Sequence, residues 1–182
     1  MSGTAGKAPI GLFYGSSTCY TEMAAEKITA SFSPIPIDQF NIAEIPLVDA
    51  ETYDALLFGI PTWDYGELQE DWENIWSDLD SLKIEKKPFA IFALGDQIGY
   101  PDWFLDAAGY LHDKLIMRGA LPCGYWSTEG YQFNESKALT PDKTHFVCLA
   151  LDEENEFELS DERIARWCTQ VREAFTALDV KL

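Results

Sequence analysis

Five apolar runs recur along this chain, and most of them do not alternate polar with apolar residues. They are "IGLFY" (10–14), "DALLFGI" (54–60), "PFAIFAL" (88–94), "ALPCGYW" (120–126) and "HFVCLAL" (145–151). A strand that is apolar on both sides has to be covered on both sides, which is the situation of a parallel sheet between two layers of helices. A sixth run, "SPIPIDQF" (33–40), contains Pro34 and Pro36 and suits an edge strand, where a missing N–H breaks no ladder.

Helical spacing fills the intervals between these runs. Ala24, Ala25, Ile28 and Phe32 share one face, as do Leu68, Trp72, Ile75, Trp76 and Leu79. Phe104, Ala108, Leu111 and Leu115 form a third stripe, with Gly119 placed to end the helix. Ile164, Trp167, Cys168, Val171, Phe175 and Leu178 form the last, with Ser160 as the expected N-cap ahead of Asp161 and Glu162. Alternating strand and helix predicts a doubly wound α/β sheet, in one domain over residues 9–178. The polar, turn-rich stretch "STEGYQFNESKALTPDKT" (127–144) reads as an insertion that splits or extends the last strand. The first eight residues, "MSGTAGKA", lack the apolar segment of a signal peptide and read as a disordered leader.

Charge narrows the function classes. Acids outnumber bases 31 to 13, for a formal net charge of -18. Such a surface repels nucleic acid and anionic membranes and attracts basic protein partners. No apolar run approaches the length of a bilayer span. Cys19, Cys123, Cys148 and Cys168 form no C-x-x-C pair and read as reduced thiols of a cytoplasmic protein, and His112 and His145 are too far apart to suggest zinc.

In an open α/β sheet, ligands bind beyond the carboxyl ends of the strands. After the first strand comes Ser16-Ser17-Thr18-Cys19-Tyr20-Thr21, running into a helix. Hydroxyls and the free N–H groups of a helix start can hold a phosphate without any cation. A plain Ser/Thr-rich turn that caps a helix is the other reading of these residues. The P-loop and dinucleotide fingerprints are absent. A C-x5-R phosphatase loop is excluded because Ala25 stands where the arginine belongs, and Phe13-Tyr14-Gly15 lacks the acids of a receiver domain. After the run at 54–60, "PTWDYGE" (61–67) presents Trp63 and Tyr65; after 88–94, "GDQIGY" (95–100) presents Asp96, Gln97 and Tyr100. Two aromatic loops beside an amide and a carboxylate suggest a slot for a flat heteroaromatic ring.

From about residue 9 to 178 the chain resembles the long-chain flavodoxins, a family of small FMN-binding electron carriers. The family's phosphate pattern [T/S]-x-T-G-x-T is matched by "SSTCYT" (16–21), with Cys19 in place of glycine. "PTWDYGE", "GDQIGY", "GYWSTEGYQFNESKAL" (124–139) and "LALDEENE" (149–156) match further motifs in the family's order. The resemblance implies a three-layer sandwich with a five-stranded parallel sheet, order 2-1-3-4-5, helices on both faces and the long-chain insertion in the last strand. Ser16, Ser17, Thr18, Cys19, Tyr20 and Thr21 would wrap the FMN phosphate, in a loop slightly altered by the cysteine. Trp63 and Tyr100 would flank the isoalloxazine, Asp96 and Gln97 would bond its pyrimidine edge, and Asp152 would reach the ribityl chain. The Asp64–Tyr65 peptide matches one whose carbonyl turns to accept N5–H in the semiquinone. Pro61, Thr62, Gly66, Leu94 and Gly95 complete the implied cofactor-binding set.

The function so implied is that of a low-potential single-electron carrier with tightly bound, non-covalent FMN and no substrate turnover of its own. It would shuttle between semiquinone and hydroquinone as a cytoplasmic monomer. Residues 64–82 and 149–162 each hold seven acids and no base, and the resemblance puts both on the FMN side. One charge about 10 Å from the ring, at an effective dielectric of about 20, opposes an added electron by roughly 1.7 kcal/mol. A few of them lower the potential by on the order of 100 mV, less after salt screening. The same surfaces would dock a basic-patched flavodoxin or ferredoxin reductase and electron-acceptor enzymes. Two rivals stand beside this expectation: a flavodoxin-like NAD(P)H or quinone reductase, which needs room over the ring, and a cofactor-free interaction module, suggested by Cys19.

Overall fold

The computed structural model describes residues 7–182. Six of the eight residues expected to form a leader therefore lie outside the described residues; of the other two, Ala8 is buried and Lys7 sits over the Tyr53 ring at 4.1 Å. The central sheet is built from β1 (Ile10–Tyr14), β2 (Ile37–Asn41), β3 (Ala55–Trp63) and, after the short β4 (Glu67–Leu68), β5 (Pro88–Leu94). β1 pairs in parallel with both β2 and β3, and β3 pairs in parallel with β5. The lane beyond β5 is shared by two short segments. β6 (Leu121–Cys123) pairs with Pro88–Ala90, and β9 (Leu149–Leu151) pairs with Phe92–Leu94. Between these two segments the chain leaves the sheet and forms a small antiparallel hairpin from β7 (Trp126–Ser127) and β8 (His145–Phe146). The lane order is thus the expected one, with the last lane divided.

Every residue of β1 and β5 is buried, as their unbroken apolar character requires. β2 begins directly after Pro36, and all five of its residues are half-buried, which fits an edge. On one face α1 (Tyr20–Phe32) packs against α4 (Ser160–Ala177); on the other, α3 (Asp106–Met117) packs against β3 and β5. α3 ends as its sequence foretells. Gly119 takes φ 80°, its N–H reaches the carbonyl of Ile116, and the Ala120 N–H reaches that of Leu115. That pair of bonds is the Schellman arrangement, which a residue without Cβ accommodates at no steric cost.

Two expectations change. The helix expected to carry Leu68 through Leu79 is α-helical only as α2 (Glu70–Ile75) and tightens to a 3₁₀ turn over Trp76–Ser81, while Leu68 belongs to β4. Glu70, Asp71 and Glu73 suit a helix start, but Asp78 and Asp80 fall where a helix end favours cations. Ser160 is not the cap of α4. A 3₁₀ turn over Phe157–Leu159 runs into that helix, so Ser160 is already helical at φ -62°, ψ -44°, and it is buried.

Packing fixes Gly59 in the middle of β3. A Cβ there would lie 2.3 Å from the Phe92 ring, which is fully buried and has nowhere to go. Gly59→Ala is expected to lower stability by about 1–3 kcal/mol, the usual cost of an overpacked core. Urea unfolding followed by tryptophan fluorescence would show the lower midpoint; an unchanged midpoint would mean the Phe92 ring can move.

Candidate functional site

The parallel register decides where the loops meet. Tyr14 lies opposite Gly59, Pro61 opposite Leu94, and Leu94 opposite Leu151, so β1, β3, β5 and β9 run out at one end of the sheet. The strand ends and the segments that follow them, 15–21, 61–66, 94–100 and 152–156, therefore gather around one cleft of about 270 Å3. Its walls are Thr18, Tyr20 and Thr21 from the first loop, Pro61, Thr62, Trp63 and Asp64 from the second, Leu94, Gly95, Asp96 and Tyr100 from the third, and Glu153 and Glu154 from the fourth.

The first loop is shaped by its neighbours. A Cβ on Gly15 would lie 2.4 Å from Gln69 Oε1 and 2.8 Å from the Trp72 ring, so the chain passes tightly over both. Gln69 is buried and its Nε2 donates to Ser17 Oγ at 3.0 Å, while the Trp72 indole N–H donates to the Gly59 carbonyl. The loop then enters α1 through Cys19, whose backbone is left-handed at φ 68°, ψ -9°, with no side-chain cap. The N–H groups of Tyr20, Thr21 and Glu22 are at the helix start, where none has an intrahelical acceptor. Cys19 itself is exposed, whereas Cys123, Cys148 and Cys168 are buried with their thiols pushed up by desolvation.

The aromatic loops face each other across the cleft. Trp63 and Tyr100 both line it, and the Tyr100 hydroxyl donates to Asp64 Oδ1 over a long 3.4 Å. The Asp64 charge raises the Tyr100 phenol above its ordinary pKa, so the ring stays neutral. Asp64 at φ 41° and Gly66 at φ 84° make a tight turn whose outer side rests on α3. There Asp106 is buried, its Oδ2 lies against Gly66, and its Oδ1 accepts the Lys137 N–H at 2.8 Å; burial raises its carboxyl pKa. Thr62 Oγ1 accepts the Ala107 N–H at 3.0 Å, which ties the same loop to the start of α3.

Among the buried polar atoms that find no hydrogen-bond partner in the described residues, three belong to the first two loops and their brace: Ser16 Oγ, the Trp63 indole N–H and Gln69 Oε1. An unmade buried hydrogen bond is costly, and unpartnered donors beside an open cleft are the mark of a place shaped for a polar ligand. The cleft's four carboxylates, Asp64, Asp96, Glu153 and Glu154, have no lysine or arginine among the lining residues to balance them. Any anion seated there would rest on N–H groups and hydroxyls alone.

Several expected site residues sit elsewhere. Gln97 is buried with its side chain turned inward: Nε2 donates to Asp152 Oδ2 at 2.9 Å, and Oε1 accepts the Gln132 N–H at 2.5 Å. Asp152 is fully buried and also accepts the Gln97 and Asn155 N–H groups, so it has no free oxygen for a ligand's chain. Tyr65 points away from the cleft, edge-on to Tyr100 and Trp103. Gly66 lies against Asp106 of α3, and Ser16, Ser17 and Cys19 belong to the first loop without being among the residues that line the cleft. Missing from the sequence reading as individual site residues are Glu153 and Glu154, two and three positions after the end of β9 and within reach of the strand-end rule, and the brace Gln69, which nothing in its neighbourhood announces.

Cys19 yields a direct prediction. A side chain in the left-handed region costs roughly 1–2 kcal/mol, partly offset by the greater chain entropy that glycine loses on folding. Cys19→Gly is therefore expected to stabilise the protein, by about 0.5–1 kcal/mol, in thermal or urea unfolding. Destabilisation would mean that the thiol makes a compensating contact.

The flavodoxin family model matches residues 12–167. Flavodoxin 2 of Salmonella typhi is 54% identical over 162 residues, covering 89% of this chain and 94% of that protein. A flavodoxin of a Nostoc species is 46% identical over 166 residues, covering 91% and 96%. Among solved structures, Fusobacterium nucleatum flavodoxin bound to flavin mononucleotide superposes with a TM-score of 0.86 at 28% identity, covering 91% of this chain and 97% of that one.

Proposed function

As the chain belongs to the flavodoxin family, we infer that it carries single electrons on FMN held without a covalent bond in the cleft at the strand ends. The observation that carries this reading is the cleft itself: a hydroxyl-rich helix start, a tryptophan and a tyrosine meet at one edge of one sheet. The donor set fits the group. The unpartnered Ser16 hydroxyl, the hydroxyls of Thr18 and Thr21 and the free N–H groups of α1 suit a phosphate. Trp63 and Tyr100 suit a flat ring, and the unpartnered Trp63 indole N–H stands ready for an oxygen of the phosphate or the chain that joins it to the ring.

Bound FMN supplies a ring that accepts and releases electrons one at a time. The residues around it do the rest. Trp63 and Tyr100 exclude water from its faces and leave a chain that turns over its own substrate little room to seat one, which weighs against a reductase. Asp64, Asp96, Glu153 and Glu154 surround the ring position with negative charge and make the addition of further electrons harder, so that the carrier is a low-potential donor. The turn at Asp64–Gly66, with a positive-φ position on each side of Tyr65, is a part of the wall suited to a change of peptide orientation. Cys19 keeps the left-handed backbone that glycine adopts freely, so the loop retains the shape that an anion needs and the cofactor-free module is disfavoured.

The acidic segments 64–82 and 149–162 are the surfaces for a basic-patched flavodoxin or ferredoxin reductase and for acceptor enzymes, which meet a monomer at its open cleft. The free thiols fit the reducing cytoplasm as the place of work. Among the described residues no helix is long and apolar enough to cross a membrane.

The test is an anaerobic reductive titration of the FMN-loaded protein followed by visible absorption. Two separated one-electron stages are expected, the second at much lower potential. A single two-electron bleaching would favour a reductase, and flavin lost on gel filtration would favour the interaction module. The charge argument makes its own prediction. The rate of reduction by a basic flavoprotein reductase should fall steeply between low and high ionic strength, since steering decays with a Debye length of about 10 Å at 0.1 M salt. A salt-independent rate would remove the acidic segments from docking.

A further inference from the structure

Asp152 is a carboxylate with no exposed surface, 55 residues in sequence from the loop it touches. A buried charge survives only if hydrogen bonds replace its water. Here its Oδ2 accepts Gln97 Nε2 at 2.9 Å and the Gln97 N–H at 3.2 Å, and its Oδ1 accepts the Asn155 N–H at 3.1 Å. Asn155 Nδ2 then donates to both Asp152 oxygens and to Asp96 Oδ1 at 2.8 Å. Asp96 Oδ1 closes the turn by accepting the N–H groups of Ile98 and Gly99. On the far side, Gln97 Oε1 accepts the Gln132 N–H, so the long segment between β6 and β9 is latched to the same loop. One buried charge thus fixes the loop that carries Gly95, Asp96 and Tyr100 into the cleft, while its own atoms do not line it.

We propose that Asp152 is a positioning residue for the ring end of the site: through Gln97, Asn155 and Asp96 it sets the edge of the 95–100 loop, and the insertion holds that setting through Gln132. The proposal rests on the flavin reading above. Its reach is confined to one end of the cleft, because none of these bonds touches the loop at 16–21. A binding group held by a supporting hydrogen-bond shell loses its placement when that shell is broken, even where the group itself is intact.

The experiment compares FMN with riboflavin, which has the ring and no phosphate, by quenching of flavin fluorescence on the wild-type protein and Asp152→Asn. The side-chain amide keeps the shape and presents a donor where one oxygen accepted. Both flavins are expected to bind on the order of tenfold more weakly, and by the same factor, because hydrogen bonds to a buried charge are among the costlier to lose. The separation between the two one-electron potentials of the FMN-loaded variant should change as well, which a loss of global stability alone would not produce. Unchanged riboflavin affinity, or a loss seen with FMN only, would overturn the proposal. Should Asp152→Asn not fold, Asn155→Ala carries the test, since Asn155 is exposed; the same pattern at smaller size supports the proposal and wild-type riboflavin affinity overturns it. If the wild-type protein binds neither flavin, it is the flavin reading that fails, and this proposal with it.

Discussion

The structure depends on a row of parallel strands that run out at the same end of the sheet. Because β1, β3, β5 and β9 are in parallel register, four loops distant in sequence arrive at one edge with their backbones already held by the sheet. The burial that enforces this is two-sided: β1 and β5 show no polar face, so neither can slide or flip without exposing apolar surface to water. The cleft is a consequence of that constraint. Its chemistry lies in the loops, while its geometry belongs to the core.

Electrostatics gives the site its character. The protein has a net charge of -18, yet its family binds a phosphate-bearing cofactor, and this loop has neither lysine nor arginine. The apparent conflict resolves at the helix start, where N–H groups without acceptors and an unpartnered serine hydroxyl supply local positive potential that salt screens little at such short range. A lysine in the loop would bind the phosphate too, but it would place a positive charge near the ring and raise the potential that four nearby carboxylates work to lower.

Much of this was legible in the residues. Unbroken apolar runs gave the parallel sheet, two prolines marked the edge strand that became β2, and the strand-end rule pointed to the loops after residues 14, 60 and 94. Trp63 and Tyr100 were expected on facing loops, and both line the cleft. What the residues could not reveal is which way a polar side chain turns. Gln97 and Asp152 have the chemistry of ligand-binding groups, and only the fold shows that they bind each other. Gln69 was invisible for a related reason: its partner Ser17 is 52 positions away, and no local pattern marks a buried brace. The backbone angle at Cys19 went the other way. A glycine-type position occupied by cysteine was a sequence-level suspicion, and φ 68° makes it a structural fact.

The most direct measurement is a crystal structure of the protein loaded with FMN. The expected result has the phosphate seated within hydrogen-bond distance of the Ser16–Thr21 backbone and hydroxyls, with no cation beside it, and the ring between Trp63 and Tyr100. A ring bound elsewhere, for instance in the crevice beside Trp126 and Arg166, or a phosphate that needs a lysine to hold it, would contradict the idea that strand ends gathered at one edge and a cation-free helix start make this site.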